Sequence, residues 1–185
     1  MPAEQALYQE CYCEENIYKL IEQTETHDRF FVVIISNDAK MIPLWVQKAA
    51  RDPLSFVLWD YHVIAIEQND SGSKVYDLDS QLEWGCDFQK YWLKTMNSVE
   101  MEACLPEYRR KFRVIPGDTY LSLLSSDRCH MLDPSGNYLK PPPEWPLINP
   151  QKPSNLMQII NMSESIDNTM VMDEQAVFNF FSCPL

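Results

Sequence analysis

Two apolar segments separated by a polar turn constrain the fold of this chain more than any other feature. The first is SFVLWDYHVIAIE (residues 55–67), the second is KVYDLD (residues 74–79), and NDSGS (residues 69–73) lies between them. Both segments are rich in β-branched and aromatic residues, which favour strands, while Asn, Asp, Ser and Gly favour tight turns. The sequence therefore predicts an antiparallel hairpin.

A helix is predicted near the start of the chain. Apolar or small residues recur there at helical spacing, at positions 13, 17, 20, 21 and 24. The first turn carries Glu14 and Glu15, and acidic side chains suit the positive end of a helix dipole. We therefore expect the helix to begin near Cys13.

The remaining pattern predicts a mixed fold. Strands are expected at residues 30–36, 42–46 and 111–115, and helices at residues 88–95, 119–125, 155–161 and 173–182. Helices combined with antiparallel strands indicate an α+β fold, in which helices flank an antiparallel sheet. A length of 185 residues fits a single domain over residues 1–185.

The charge balance opposes binding to nucleic acids. Fifteen lysines and arginines face 27 aspartates and glutamates, which gives a formal net charge of −12. Phosphate backbones require clustered cations, and the one basic cluster is too short to supply them. We expect this cluster, Arg109, Arg110, Lys111 and Arg113, to form a solvated face.

Neither a membrane span nor a secretory signal is expected. The longest apolar run, FFVVII, has the length of a buried strand rather than the roughly 20 residues that cross a bilayer. The first ten residues lack a basic stretch followed by an apolar one, so we expect a reducing compartment and free thiols. The six cysteines also lack the paired spacing of a structural zinc site, and no cofactor is predicted.

The predicted hairpin places a histidine beside carboxylates. Alternation puts Trp59 and Tyr61 on one strand face and Asp60 and His62 on the other. The partner strand carries two aspartates on one face, at positions 77 and 79, and the register does not choose between them. A carboxylate that accepts the Nδ1 hydrogen of an imidazole orients the ring as a general base requires.

Cys13 is the candidate nucleophile. A thiol at a helix start lies near a positive dipole and unpaired backbone N–H groups, which favour thiolate and can hold an oxyanion. Cys11 precedes the helix and is the weaker candidate, while Glu14 and Glu15 oppose thiolate formation. The alternative is that Cys13 is an inert core thiol and His62 a structural hydrogen-bonding residue.

Other candidates receive minor roles. His27 and His130 lie in polar loops, and we expect them to make solvent or loop contacts.

Four prolines and a tryptophan, at positions 141–143, 145 and 146, form a stiff segment. Such a segment either binds a proline-reading module or packs as a strap over its own domain, and we favour the strap.

Six motifs, in order along the chain, resemble those of the protein N-terminal glutamine amidohydrolases. They are CYCEEN (11–16), MIPLW (41–45), WDYHV (59–63), YDLD (76–79), RKFRVI (110–115) and SDRCHM (126–131). WDYHV is that family's signature. The resemblance extends from about Cys11 to Pro146, and we carry no role onto residues 149–185.

The resemblance implies a small monomeric enzyme with a core similar to those of papain-like proteases and transglutaminases. Its nucleophile matches Cys13, its histidine matches His62, and its aspartate matches Asp77 rather than Asp79. The implied reaction deamidates an N-terminal glutamine to glutamate through a thioester and releases ammonia, without a cofactor. The implied setting is the cytosolic and nuclear N-degron pathway, in which the product is arginylated and then degraded.

Specificity for a first residue requires a group that binds the free α-ammonium, and Asp60 and Glu14 are our candidates. Two rival functions stay open. One is a cysteine peptidase or transglutaminase with the same triad. The other is a non-catalytic adaptor that binds partners through the proline-rich segment and the acidic surface.

Overall fold

The structure is a computed structural model that describes residues 3–97 and 106–183. In chain order, the elements of these residues are α1 (Cys13–Glu22), β1 (Phe30–Ser36), β2 (Ile42–Leu44), β3 (Val57–Trp59), β4 (His62–Asn69), β5 (Gly72–Tyr76), β6 (Cys86–Asp87), α2 (Phe88–Tyr91), β7 (Lys111–Pro116), α3 (Gly117–Leu123), α4 (Leu156–Ile159), β8 (Met170–Met172) and α5 (Glu174–Ser182). A π-helical turn, Trp92–Met96, continues α2. Cys104, to which the sequence gives no role, lies outside the described residues.

A six-stranded antiparallel sheet forms the centre of this α+β domain. Its strand order is β6-β5-β4-β1-β7-β8, and β2 and β3 form a separate two-stranded sheet. Helices cover both faces, so β1 is buried along nearly its whole length. This explains why β1 is a continuous apolar run rather than an alternating one.

Each sheet face has its own core. Ile17 and Ile21 of α1 pack with Val63 of β4 on one face, where α3 and α4 also contribute. Phe88 of α2 and Phe181 of α5 pack on the other face. The first face therefore fixes the start of α1 against β4, which positions the functional site.

The predicted hairpin is confirmed as β4 and β5, which pair antiparallel with Asn69 opposite Gly72. The first segment, however, is two strands rather than one. β3 ends at Trp59 and pairs with β2, and β4 begins at His62 and pairs with β1 and β5. The break at residues 60 and 61 changes the alternation of side chains, so the prediction that Trp59 and His62 face opposite sides is wrong.

The prediction that the basic cluster forms a solvated face is wrong for two of its four members. Arg110 and Arg113 are buried. Arg113 donates to the backbone carbonyls of Ile159, Asn161 and Glu164, each at 2.8 Å. Five fixed N–H donors let a guanidinium satisfy several carbonyls, so these arginines hold chain segments together.

The proline-rich segment is a strap, as predicted. Pro143 is buried, and its carbonyl accepts a hydrogen bond from Arg128 at 3.1 Å. The Trp145 indole donates to Glu15 of α1 at 2.8 Å. None of the helices in residues 3–97 and 106–183 has the length and apolar character that crossing a bilayer requires.

Candidate active site

A histidine and an aspartate pair at the end of the β4–β5 hairpin. His62 is the first residue of β4, and Asp77 follows the last residue of β5. His62 Nε2 lies 2.9 Å from Asp77 Oδ1, and both side chains are buried. The predicted pairing with Nδ1 is therefore wrong, because Asp77 contacts Nε2 instead.

Asp77 is held by hydrogen bonds at both oxygens. Oδ1 also accepts from the backbone N–H of Asp79 at 3.0 Å, while Oδ2 accepts from Tyr91 at 2.8 Å and from Gln47 at 3.1 Å. Burial alone would raise the pKa of Asp77, but the charge and hydrogen bond of His62, with those of Gln47 and Tyr91, bring it below its usual value. The carboxylate is therefore kept ionised and fixed.

The pairing also sets the state of His62. Burial alone would lower the pKa of His62, but the charge and hydrogen bond of Asp77 outweigh burial, so the pKa lies above its usual value. Trp59 stacks on the ring with centroids 5.1 Å apart. Because Nε2 is taken by Asp77, the other nitrogen, Nδ1, is available as the base; within the described residues it has no hydrogen-bond partner.

Cys13 stands at the first position of α1, as predicted. A hydrogen bond from the backbone N–H of Val63, the residue after His62, supports its thiolate. Burial nevertheless raises the pKa of the Cys13 thiol well above its usual value, and the charges of Glu14 and Asp79 raise it further. The resting sulfur is therefore protonated and needs a base to become a nucleophile.

Glu14 does not face solvent as a first-turn residue usually does. It is fully buried, and its Oε2 accepts from the Tyr61 hydroxyl at 2.9 Å. His130 Nε2 lies 3.4 Å from Glu14 Oε1, in a side chain that is 13% exposed. The prediction that His130 makes only solvent or loop contacts is therefore wrong.

A cleft of about 820 Å³ opens over these groups. Cys13, Trp59, Asp79 and His130 line it, together with Asp60. Trp59 stacks on His62, which is fully buried. The cleft thus reaches Cys13 and Asp79, and ligand atoms of Asp79 lie within 4.8 Å of those of His62 and Asp77.

The two residues predicted to bind an α-ammonium lie in different surroundings. Asp60 lines the cleft but is exposed, and its Oδ1 accepts from the backbone N–H of Tyr61 at 2.9 Å. Glu14 lies behind Cys13 and is not among the residues that line the cleft. Neither position alone identifies the group that binds the substrate.

One set of potential metal ligands comes together in residues 3–97 and 106–183. Atoms of His62, Asp77 and Asp79 lie within 4.8 Å of one another. A cation bound there would compete with the 2.9 Å hydrogen bond between His62 and Asp77. A general base needs this hydrogen bond intact, so metal binding and acid–base use of the pair would exclude each other.

Sequence reasoning missed several side chains of this site. Gln47 and Tyr91 hold Asp77 from segments far along the chain, and nothing in their local sequence indicates it. For Asp79, the sequence indicates only that it is an alternative to Asp77 as the partner of His62. Trp59 had one available signal, since it opens the WDYHV motif that contains the histidine.

Comparison with known proteins adds an independent line of evidence. The family model described as N-terminal glutamine amidase matches residues 8–181. The match includes most of the region after Pro146, beyond the motifs that suggested the resemblance. It therefore covers nearly all of the described structure.

Individual relatives agree with the family match. A Caenorhabditis elegans protein named Protein N-terminal glutamine amidohydrolase is 67% identical over 180 residues, which cover 97% of this chain and 98% of that protein. Proteins of the same name from Homo sapiens (41% identical; 89% of this chain, 82% of that protein) and Drosophila ananassae (45% identical; 76% and 71%) also match. This chain belongs to the N-terminal glutamine amidase family.

Proposed function

We propose that this protein is an enzyme that deamidates the N-terminal glutamine of polypeptides to glutamate and releases ammonia. The observation that carries the proposal is the buried His62–Asp77 pair, whose Nδ1 has no hydrogen-bond partner among the described residues. The residue after His62, Val63, donates its backbone N–H to the sulfur of Cys13, which lines the cleft. The family and the names of its members supply the substrate. Cys13, His62 and Asp77 are the proposed triad.

The first half-reaction forms a thioester. His62 Nδ1 takes the proton of the Cys13 thiol as the sulfur attacks the γ-carboxamide carbon. Backbone N–H groups in the first turn of α1 have no intrahelical partner and stabilise the tetrahedral oxyanion. His62 then gives the proton to the nitrogen, the carbon–nitrogen bond breaks, and ammonia leaves.

The second half-reaction releases the polypeptide, which now begins with glutamate. His62 takes a proton from a water molecule, whose oxygen attacks the thioester carbonyl. The second tetrahedral intermediate collapses, the carbon–sulfur bond breaks, and the sulfur recovers its proton from His62. Asp77 stabilises the imidazolium each time it forms and keeps Nδ1 directed at the reacting groups.

The proposal also includes the fold class, the cellular location and the partners of the protein. A cysteine at a helix start and a histidine on a strand of an antiparallel sheet are features of papain-like and transglutaminase-like cores, and we assign the single domain of residues 1–185 to that class. We place the enzyme in the cytoplasm and nucleus, as a monomer of the N-degron pathway whose partners are polypeptides with N-terminal glutamine rather than nucleic acids or membranes. The strap contacts of Pro143 and Trp145 argue against an adaptor that offers this segment to a partner.

The test uses a peptide that begins with glutamine, its N-acetylated copy, and a peptide that begins with asparagine. Mass spectrometry and ammonia detection are applied to wild type, Cys13→Ala and Cys11→Ala. Cys11 is the matched control, because its thiol lines the same cleft but precedes α1. We expect ammonia only from the free glutamine peptide, with wild type and Cys11→Ala.

Other outcomes would support one of the rival functions. Cleaved peptide products would indicate a peptidase, and cross-links to lysine would indicate a transglutaminase. No change in any peptide would refute catalysis and favour the adaptor. Full activity of Cys13→Ala would refute the nucleophile while leaving the reaction in place.

A further inference from the structure

Among the described residues, three carboxylates line the cleft, and they differ sharply in exposure. Asp60 and Asp127 are exposed, whereas Asp79 is 6% exposed. Asp79 is also the one beside the reacting groups, because its atoms lie within 4.8 Å of those of His62 and Asp77. The pKa of the Cys13 thiol is raised first by burial, then by the charge of Glu14, and then by the charge of Asp79.

The position of Asp79 is fixed by its own backbone and by one side chain. Its N–H donates to Asp77 Oδ1 at 3.0 Å, and its carbonyl accepts from the N–H of Lys48 at 2.7 Å. Tyr8 donates its hydroxyl hydrogen to Asp79 Oδ1 at 2.7 Å. The backbone of Asp79 is therefore fixed, and its carboxylate cannot turn away without breaking the hydrogen bond with Tyr8.

Asp79 lacks a cationic partner in the described part of the chain. None of the ion pairs there includes Asp79, and the nearby Lys48 gives its ammonium to the Leu78 carbonyl at 2.7 Å. Burial raises the pKa of Asp79 above its usual value, although the charge of His62, the hydrogen bond of Tyr8 and the charge of Lys48 act in the opposite direction. Buried carboxylates are normally paired, so a cation that enters the cleft would find a favourable partner in Asp79.

The proposed substrate carries one such cation at a suitable distance. Four covalent bonds separate the carboxamide carbon of glutamine from its α-nitrogen, a span of at most about 5 Å. A carboxamide at Cys13 thus leaves the α-ammonium within the same end of the cleft. An acetylated N-terminus has no such charge and would leave Asp79 unpaired.

We propose that Asp79 is the specificity residue that binds the α-ammonium of the substrate's first residue and so makes the cleft select free over blocked N-termini. The inference rests on the proposed function. Asp79 takes the place of the two residues that the sequence suggested for this role. Glu14 is turned toward Tyr61 and His130. The carboxylate of Asp60 is exposed and solvated by water, so it discriminates only weakly between free and blocked N-termini.

The test compares two substrates that share the reacting carboxamide. One is a peptide that begins with glutamine, and the other is its desamino analogue, in which a 4-carbamoylbutanoyl group replaces that residue. We expect wild type to prefer the glutamine peptide in kcat/KM by on the order of 10²-fold or more, as for a buried, hydrogen-bonded charge pair. Asp79→Asn should reduce this preference to a few-fold, mainly by raising KM for the glutamine peptide.

Two further variants separate the carboxylate from its neighbours. Tyr8→Phe removes the hydrogen bond to Asp79 but keeps the charge, so the preference should persist. Asp60→Asn should also keep the preference. An equal loss on both substrates in Asp79→Asn, a full preference in that variant, or loss of preference in Asp60→Asn or Tyr8→Phe would each overturn the assignment.

A binding measurement makes the result independent of turnover. In the Cys13→Ala background, calorimetry should show that Asp79→Asn weakens the glutamine peptide by on the order of 10²-fold and leaves the desamino analogue unaffected. Absence of ammonia release by wild type would refute the proposed function, whereas this binding difference would still identify Asp79 as the ammonium site. If the Cys13→Ala variant, with Asp79 intact, binds the two peptides equally, the role of Asp79 is refuted. That result would not affect the proposed deamidation reaction.

Discussion

His62 divides its two ring nitrogens between two tasks. Nε2 is committed to Asp77, which is itself held by Gln47, Tyr91 and the backbone of Asp79. Nδ1 is left for the reacting groups. A buried carboxylate with these four hydrogen bonds can neither turn nor take up a proton easily, so it fixes the tautomer of the histidine.

Replacing Asp77 by Asn should separate orientation from charge. The amide oxygen can still accept the Nε2 hydrogen, and Tyr91 can reverse its hydroxyl, so we expect the fold to persist. The imidazolium loses its counter-charge, and kcat should fall by about 10²-fold or more. Steady-state ammonia release, with circular dichroism as the check on folding, measures this; wild-type turnover in the variant would remove Asp77 from the mechanism.

Replacing Glu14 by Gln should lower the pKa of the Cys13 thiol. Burial is the main reason that this pKa is high, and the charge of Glu14 is the next. The substitution removes that charge but keeps an acceptor for Tyr61, so the thiolate fraction at a given pH rises and the pKa stays above its usual value. The rate of alkylation of Cys13 by iodoacetamide, followed against pH, should shift to lower pH.

The control for this shift is Glu22→Gln at the other end of α1. Glu22 is exposed and pairs with Lys19, so its loss should leave the alkylation profile of Cys13 unchanged. An unchanged profile in Glu14→Gln, or an equal shift in both variants, would show that Glu14 does not control the thiol.

The residue pattern predicts only part of this site. Cys13 and His62 follow from a helix start and a strand, which are local features. The choice of Asp77 over Asp79 does not follow, because β5 ends at Tyr76 and both aspartates lie beyond the strand where alternation no longer applies. The contacts of Gln47 and Tyr91 depend on tertiary packing between distant segments, for which a single sequence carries no local signal.

At the scale of elements, the strongest local patterns gave the most reliable predictions. α1 and β1 begin where the pattern places them, and the central hairpin has the predicted partners. The break between β3 and β4 was missed because pairing of β3 with β2, rather than its own composition, ends the strand at Trp59. This break lets Trp59 stack on His62.

α3 begins at Gly117, two residues before its predicted start, and close packing explains the glycine. A Cβ atom at Gly117 would lie 2.7 Å from the backbone oxygen of His27 and 3.1 Å from that of Phe30. The backbone of α3 therefore sits directly against the segment that leads into β1. No side chain fits between them.

Gly117→Ala should accordingly destabilise the protein by about 1–3 kcal/mol, because backbone atoms must move to admit the methyl group. Ser122→Ala, on the exposed face of the same helix, should change the free energy of unfolding by less than about 0.5 kcal/mol. Urea denaturation of the two variants measures both. A stabilising effect of Gly117→Ala, as expected for alanine in an unobstructed helix, would show that the contact is relieved without cost.

At the scale of the whole molecule, buried arginines join the chain's later segments to the elements that carry the candidate site. Arg113 binds the carbonyls around α4, and Arg128 joins the strap to α1. Such links could not be predicted from the sequence, where Arg110 and Arg113 look like part of a charged surface run. Their role depends on which carbonyls the fold leaves unpaired beside them.

The Arg128–Glu15 pair is the link that bears most directly on Cys13. Arg128 Nε donates to Glu15 Oε1 at 3.0 Å, and a terminal nitrogen donates to Oε2 at 2.8 Å. The same guanidinium donates to the carbonyls of Pro143 and Trp145. Glu15 lies two residues after Cys13, so this fork fixes the start of α1 to residues more than a hundred positions away.

Glu15→Gln should therefore cost far more than the same substitution at Glu22 on the same helix. The first leaves the buried guanidinium of Arg128 without a counter-charge, and removing one partner of a buried pair typically costs about 3–5 kcal/mol. The second breaks an exposed pair with Lys19, worth about 0.3–0.5 kcal/mol. Urea denaturation gives both free energies of unfolding, and equal values for the two variants would mean that Arg128 is compensated by the strap carbonyls alone.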